Sequence, residues 1–172
     1  PYVVFTVTGA ANQLARLSLV DGTALVDANG VPQTDGSEDY GPGLEYWDPT
    51  AGTSGQWKPY TTGSTVALDG AGSLLVRTKI LPDSLDEGDH TFRLIATNTG
   101  GTSTPITQGI GTIDDHGGGE LFPDLPPNND GTPAKDTSTV KDDDRPLSVD
   151  NVRVNEGSPY AVSYTHLTLP TK

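Results

Sequence analysis

Short stretches of β-branched and aromatic residues, each ended by a glycine-rich or acidic turn, constrain the fold of this chain most. The clearest are Tyr2–Thr8, Leu14–Val20, Leu74–Ile80 and Thr91–Thr97. Such residues favour strands, and no window shows the apolar periodicity of an amphipathic helix. Further short strands are predicted at Thr23–Val26, Leu44–Trp47, Gln56–Lys58, Thr65–Leu68 and Gly109–Ile113. Strands of this length with regular turns predict an all-β fold, an antiparallel sandwich.

Charge and composition exclude several classes of function. The 172 residues carry 23 acidic and 10 basic side chains, a formal net charge of -13, which disfavours binding to nucleic acid or to an anionic membrane surface. Cysteine is absent, so neither a disulfide nor a thiolate metal site can stabilise the fold. No segment is long and apolar enough to be inserted in a membrane, and no signal peptide is visible. The chain begins without methionine inside a predicted strand, and we interpret it as a fragment of a longer, metagenomic sequence.

An acidic loop joins two of the clearest predicted strands. Asp83, Asp86, Glu87 and Asp89 place four carboxylates within seven residues. Carboxylates this close repel one another unless a cation or open solvent separates their charges. Oxygen ligands on a loop suit Ca²⁺, so the loop is interpreted either as part of a calcium site or as a solvated acidic turn.

The composition changes after Ile113. Residues 116–146 are rich in glycine, proline, asparagine and aspartate without periodicity, which predicts a long irregular linker. Residues 147–154 alternate again as a strand. The Ser158–Val162 stretch then repeats the opening Pro-Tyr-x-Val pattern of the chain, with Pro159 standing 158 positions after Pro1. A pattern that restarts at a fixed offset indicates a tandem array.

The last residues are set apart from the fold. Val162–Thr171 resembles the translated end of a transposon-derived sequencing adapter, so residues 162–172 are interpreted as an adapter-derived tail and excluded from functional reasoning. His166 therefore has no functional role in this interpretation.

Four motifs together resemble the Calx-beta repeat. They are an acidic turn before a strand that begins near a Phe, a strand that ends in Asp-Asp, an Asp-Tyr pair and a Glu-Gly pair. In this sequence they are Asp83–Phe92, Gly109–Asp115, Glu38–Tyr40 and Val154–Gly157. The resemblance covers residues 1–115 and 147–162 and implies an immunoglobulin-like sandwich at 1–115, a linker at 116–146 and, at 147–161, the first strand of a following repeat.

The resemblance also implies a set of calcium ligands. Carried over by position, they are Asp83, Glu87, Asp114, Asp115, Asp39 and Glu156, converging at one end of the sandwich beside the linker. Two positions depart from the family pattern, because Pro82 and His116 stand where carboxylates are usual. Fewer carboxylates predict one or two Ca²⁺ ions held with weaker affinity.

The sequence, with Asp-Asp-Asp-Arg-Pro before the 147–154 strand, is similar in composition to the repeats of large bacterial surface adhesins. This resemblance implies a secreted, extracellular repeat at the bacterial cell surface, a calcium-stiffened stalk that functions in cell adhesion. Its expected partners are neighbouring repeats of the same polypeptide, while other domains contact a cell-surface glycan or protein. We further expect residues 147–157 to fold back and complete an edge of the 1–115 sandwich in this chain.

Other features leave alternatives open. Four aromatic residues form either a platform for sugars, as in a carbohydrate-binding module, or structural hairpin and core contacts; they are Tyr46, Trp47, Trp57 and Tyr60. His90 and His116 flank carboxylates and are interpreted as solvated turn residues or as ligands of a transition metal. No serine lies in a nucleophile-elbow motif, so we do not expect an enzyme. A calcium-independent spacer domain is the remaining alternative.

Overall fold

The computed structural model describes residues 1–26, 38–82, 87–101, 105–138, 141 and 148–149. Within these ranges the chain forms eight strands and no helix, and therefore no helix that could cross a membrane. The strands are β1 (Tyr2–Thr8), β2 (Leu14–Asp21), β3 (Tyr40–Asp48), β4 (Gln56–Pro59), β5 (Val66–Ala67), β6 (Ser73–Ile80), β7 (His90–Asn98) and β8 (Ile106–Ile113).

The strands form two four-stranded antiparallel sheets. The first sheet has the order β1-β6-β3-β4 and the second the order β5-β2-β7-β8. This arrangement confirms the all-β sandwich that the sequence predicts. One predicted strand is wrong in detail, because the Thr23–Val26 stretch contributes only an isolated parallel bridge between Val26 and Tyr40.

Alternate side chains of the two sheets meet in the core. Phe92 of β7 is fully buried, stacks on Tyr40 with ring centroids 4.3 Å apart, and meets the edge of Phe5 at 5.9 Å. Gly111 on the neighbouring β8 leaves room for this cluster, since a Cβ there would lie 2.9 Å from the Phe92 ring. A second group of aliphatic residues around Leu17, together with this aromatic cluster, fills the space between the sheets.

The strand register brings several strand ends to one end of the sandwich. Tyr2 pairs with Lys79, Tyr40 pairs with Ile80, and His90 pairs with Ile113. The first residues of β1, β3 and β7 therefore lie beside the last residues of β6 and β8. Loops that enter or leave these strands are close neighbours in space, although they are far apart in the sequence.

The segment after β8 stays against the sandwich over much of its length. Tyr2 forms an antiparallel bridge with Phe122, and Leu121 forms a second one with Asp136. The predicted boundaries after residues 115, 146 and 161 remain predictions. The 147–157 strand with its proposed return to a sheet edge, and the 162–172 tail, lie almost entirely outside the described residues.

Candidate metal centre

A cavity of about 150 Å³ opens at the end of the sandwich where β1, β3 and β7 begin. Its lining comes from several parts of the chain that are distant in sequence. The carboxylates and histidine among them are Asp39, Glu87, His90, Asp114, Asp115 and Glu120. Among the described residues, five carboxylates, one histidine and Lys141 line the cavity, which is therefore strongly acidic.

Asp39, just before β3, is the most buried carboxylate of this group, at 8% exposure. Its Oδ2 accepts a hydrogen bond from the backbone amide of Leu25 at 2.7 Å. Its Oδ1 lies 2.6 Å from Nδ1 of His90, the first residue of β7. Asp39 is thus fixed from both sides, by a backbone donor and by an imidazole.

Glu87 completes a compact group with Asp39 and His90. Its Oε2 lies 3.9 Å from His90 Nδ1, and one ligand atom from each of the three residues falls within 4.8 Å of the others. The hydrogen bond to Asp39 raises the pKa of His90, partial burial opposes this, and the charges of Asp39, Glu87 and Asp115 add to the increase. The neighbouring carboxylates thus favour the protonated, positively charged form of this imidazole.

The Asp114–Asp115 pair follows directly after β8. Asp115 Oδ2 accepts a hydrogen bond from the backbone amide of Glu87 at 3.0 Å, which ties the end of β8 to the acidic loop. Asp114 Oδ1 accepts from the amides of His116, at 2.8 Å, and Gly118, at 3.2 Å. These amides, that of His116 first, lower the pKa of Asp114, so its carboxylate stays ionised.

The glycine run after Asp114 is required by this turn. A Cβ at Gly118 would collide with the Asp114 carboxylate, so only glycine fits where the chain wraps around it. Gly117 and Gly119 adopt positive φ angles of 72° and 59°. The Gly-Gly-Gly sequence thus positions a carboxylate as well as contributing to a linker.

The structure brings together four of the six predicted ligand positions. Asp39, Glu87, Asp114 and Asp115 line the same cavity. Asp83 and Glu156 lie outside the described residues, so their predicted roles stay predictions.

His90 belongs to this group, although the sequence indicated only a turn histidine or a transition-metal ligand. The signal was available in the alternation of β7, because His90 shares the inner face with Phe92 and Leu94. A side chain on that face is directed toward the facing sheet, and the His90 side chain is accordingly only 25% exposed.

The oxygen and nitrogen atoms that line the cavity can be compared with the ligands that particular metal ions prefer. Ca²⁺ takes six to eight oxygen ligands. Asp39 and Glu87 offer carboxylate oxygens within 4.8 Å of each other, and Asp114 and Asp115 line the same cavity. The imidazole nitrogen is a poor calcium ligand and suits transition metals better. Asp39 and Glu87 offer the oxygen atoms that a hard cation uses, and His90 offers a nitrogen atom that a transition metal uses.

The aromatic residues that suggested a sugar platform have partners within the protein. Trp47 and Trp57 are directly paired across β3 and β4, with ring centroids 5.5 Å apart and an edge-on geometry. Tyr60 Oη accepts from the amide of Leu17 at 3.0 Å and donates to the carbonyl of Ser64 at 2.5 Å. These contacts favour the structural interpretation of the aromatic residues.

Comparison of the chain with protein-family models, with curated proteins and with solved structures gave no match. The resemblance to the Calx-beta repeat therefore rests on the sequence motifs, and the two-sheet architecture on the structure itself.

Proposed function

We propose that this chain is a calcium-binding structural repeat of an extracellular bacterial adhesin, without catalytic activity. Its work is mechanical, since Ca²⁺ bound at one end of the sandwich stiffens the connection to a neighbouring repeat of the same polypeptide. A stalk built this way holds a distal binding domain away from the cell. The single observation that carries the proposal is the convergence of Asp39, Glu87, Asp114 and Asp115 on one cavity.

The position of the cavity supports this mechanical role. Asp114 and Asp115 lie directly after the end of β8, and Asp39 and Glu87 belong to loops that are far from them in sequence. A cation shared among these carboxylates removes their mutual repulsion and joins the two loops to the segment that follows β8. Binding of the ion to the folded state then adds to the free energy of unfolding.

Thermal unfolding of the full chain with millimolar Ca²⁺, and again with a chelator, tests the proposal. A free ion concentration of about 100 times Kd raises the free energy of unfolding by about 2.7 kcal/mol. For a chain of this size, that corresponds to an increase in Tm of about 5 to 10 °C. Mg²⁺ at the same concentration controls for ionic strength.

Two matched substitutions test whether the calcium-dependent shift in Tm arises at this cavity. Asp114→Asn keeps an acceptor for the amides of His116 and Gly118 but removes the charge, so we expect it to abolish most of the calcium-dependent shift. Asp130→Asn is the control, because Asp130 also accepts from an amide two residues ahead, at Thr132, but lies outside the cavity.

An unchanged Tm in Ca²⁺ would contradict the proposal and would leave the carboxylates as a solvated acidic surface of a calcium-independent spacer. A shift with Zn²⁺ but not with Ca²⁺ would indicate a transition-metal site in which His90 is a ligand.

A further inference from the structure

The segment that follows β8 lies along the outer face of the first sheet as a strap, which we define as residues 120–138. The Tyr2 amide donates to the Phe122 carbonyl at 3.0 Å, and Trp57 Nε1 donates to the Leu125 carbonyl at 2.9 Å. Within the strap, the amide of Asp136 donates to the Leu121 carbonyl at 2.8 Å. Two backbone carbonyls of the strap, those of Phe122 and Leu125, therefore accept hydrogen bonds from the sheet.

Arg77 lies at the centre of this contact. It belongs to β6 and points to the outer face of the sheet, yet it is only 3% exposed. Its guanidinium lies 3.9 Å from the ring centroid of Tyr2 and 4.2 Å from that of Trp57. An arginine between two aromatic rings is held rigidly and keeps its planar hydrogen-bonding edge in a defined direction.

The guanidinium binds one carboxylate from the sheet and one from the strap. Nε donates to Glu45 at 2.6 Å, and Nη2 donates to Asp124 at 2.7 Å. Nη1 is buried and has no acceptor among the described residues. Glu45, in the facing register position on β3, orients the arginine independently of the strap. The sheet thus supplies one carboxylate partner of Arg77, and the strap supplies the other.

The bound segment has features of a peptide ligand. Residues 121–126 read Leu-Phe-Pro-Asp-Leu-Pro, with a single carboxylate between apolar residues. Pro123 and Pro126 restrict the backbone, so less conformational entropy is lost when the segment binds. Asp124 remains 71% exposed as it contacts Arg77, so the segment lies on the surface of the sandwich and not inside it.

We propose that Tyr2, Arg77 and Trp57 form a peptide-binding site that accepts the strap of a second copy of this chain. The ligand is an extended segment with one carboxylate flanked by apolar residues. In a single chain the site holds its own strap, because a tethered ligand has a high effective concentration. When that strap is displaced, the same contacts join two copies. This proposal does not depend on calcium binding.

The full chain carrying Asp124→Arg serves as the receptor in a direct test. The new arginine faces Arg77, and repulsion between like charges displaces the chain's own strap. A labelled synthetic peptide of residues 119–138 is then added, and fluorescence anisotropy measures its binding. We expect saturable binding, weaker by at least about tenfold for a peptide in which Asp124 is replaced by alanine.

Matched variants separate this site from general charge effects. The Asp130→Arg chain carries the same change of charge elsewhere on the strap and is expected to keep its site closed to the peptide. Adding Trp57→Phe to the receptor removes the donor to the Leu125 carbonyl and is expected to weaken binding. Circular dichroism verifies that each receptor is folded, and Asp124→Ala replaces Asp124→Arg if the latter is unfolded.

Sedimentation tests the exchange between two chains. An Arg77→Met chain has an intact strap but an impaired site, and the Asp124→Arg chain has the reverse. Each alone is expected to sediment as a monomer and their equimolar mixture as a dimer. Absence of both peptide binding and a mixed dimer, or equal peptide binding by the Asp130→Arg chain, would overturn the proposal.

Discussion

The Tyr40 hydroxyl offers a test of how the end of the sandwich with the acidic cavity is stabilised. The ring is fully buried against Phe92, and Oη donates to Asp21 Oδ1 at 2.5 Å. Burial raises the pKa of Tyr40, and the hydrogen bond to Asp21 raises it further, so the hydroxyl stays protonated as a donor. Tyr40→Phe removes this hydrogen bond while it preserves the stacked ring.

The expected magnitude follows from the exposure of the acceptor. A hydrogen bond to a charged group contributes about 1.5–3 kcal/mol to the free energy of unfolding. Asp21 is exposed, so water replaces the lost donor, and the expected loss is about 1–2 kcal/mol. This corresponds to a decrease in Tm of about 3 to 6 °C.

Urea unfolding followed by tryptophan emission measures the change, with Asp21→Asn and the double variant completing a thermodynamic cycle. We expect Tyr40→Phe and Asp21→Asn together to cost less than the sum of the single changes. A Tyr40→Phe chain as stable as the parent, with no coupling to Asp21, would refute the assigned role of the hydroxyl.

Two further predictions concern the opposite end of the sandwich. Gly72 has a φ of 77° and its carbonyl accepts from the amide of Gly9 at 2.8 Å. A Cβ at Gly72 would overlap the Gly9 carbonyl, so Gly72→Ala should lower the free energy of unfolding by at least about 2 kcal/mol. Gly63→Ala is the control and should cost about 1 kcal/mol, because a Cβ at Gly63 would meet only open space. The hydrogen bond from Lys58 at 2.6 Å is the main cause that lowers the pKa of Asp48 to about 2. The pKa of Asp48 is lower in the folded state, so its contribution of about 1 kcal/mol to the free energy of unfolding is complete above about pH 4 and is lost as the pH falls toward 2. Unfolding curves of Asp48→Asn at pH 2 to 5 should lack this acid-dependent part. An unchanged pH profile would contradict the assignment.

Most of the fold could be predicted from the sequence because strands carry a local signal. Alternating β-branched residues in Tyr2–Thr8 and Ser73–Ile80 pack against a core on one face, and turns end them within a few residues. The order of strands in the two sheets has no such local signal. It depends on which strands bury most apolar surface together, as Phe5, Tyr40 and Phe92 do across three strands.

The candidate site could be predicted only in part, because its geometry also depends on contacts between distant strands. Carboxylates at strand ends are visible in a sequence, but their proximity depends on the register, such as the pairing of His90 with Ile113. The strap was harder to predict, since it contacts the sheet through the carbonyls of Phe122 and Leu125. Backbone carbonyls occur at every residue, so a proline-rich segment that binds through them has the composition of a free linker.

The acidic cavity and the strap are parts of one continuous piece of structure. Residues 118–121, where the strap begins, line the same cavity as Asp114 and Asp115, and Tyr2 contributes both to that cavity and to the ring pair around Arg77. The Asp114 turn sets the direction in which the strap leaves β8. A cation that orders this turn therefore reduces the entropy lost when the strap docks, and a docked strap reduces the entropy lost when the cation binds. Because such coupling is reciprocal, we expect docking of the strap and occupancy of the proposed calcium site to be linked through the same few residues.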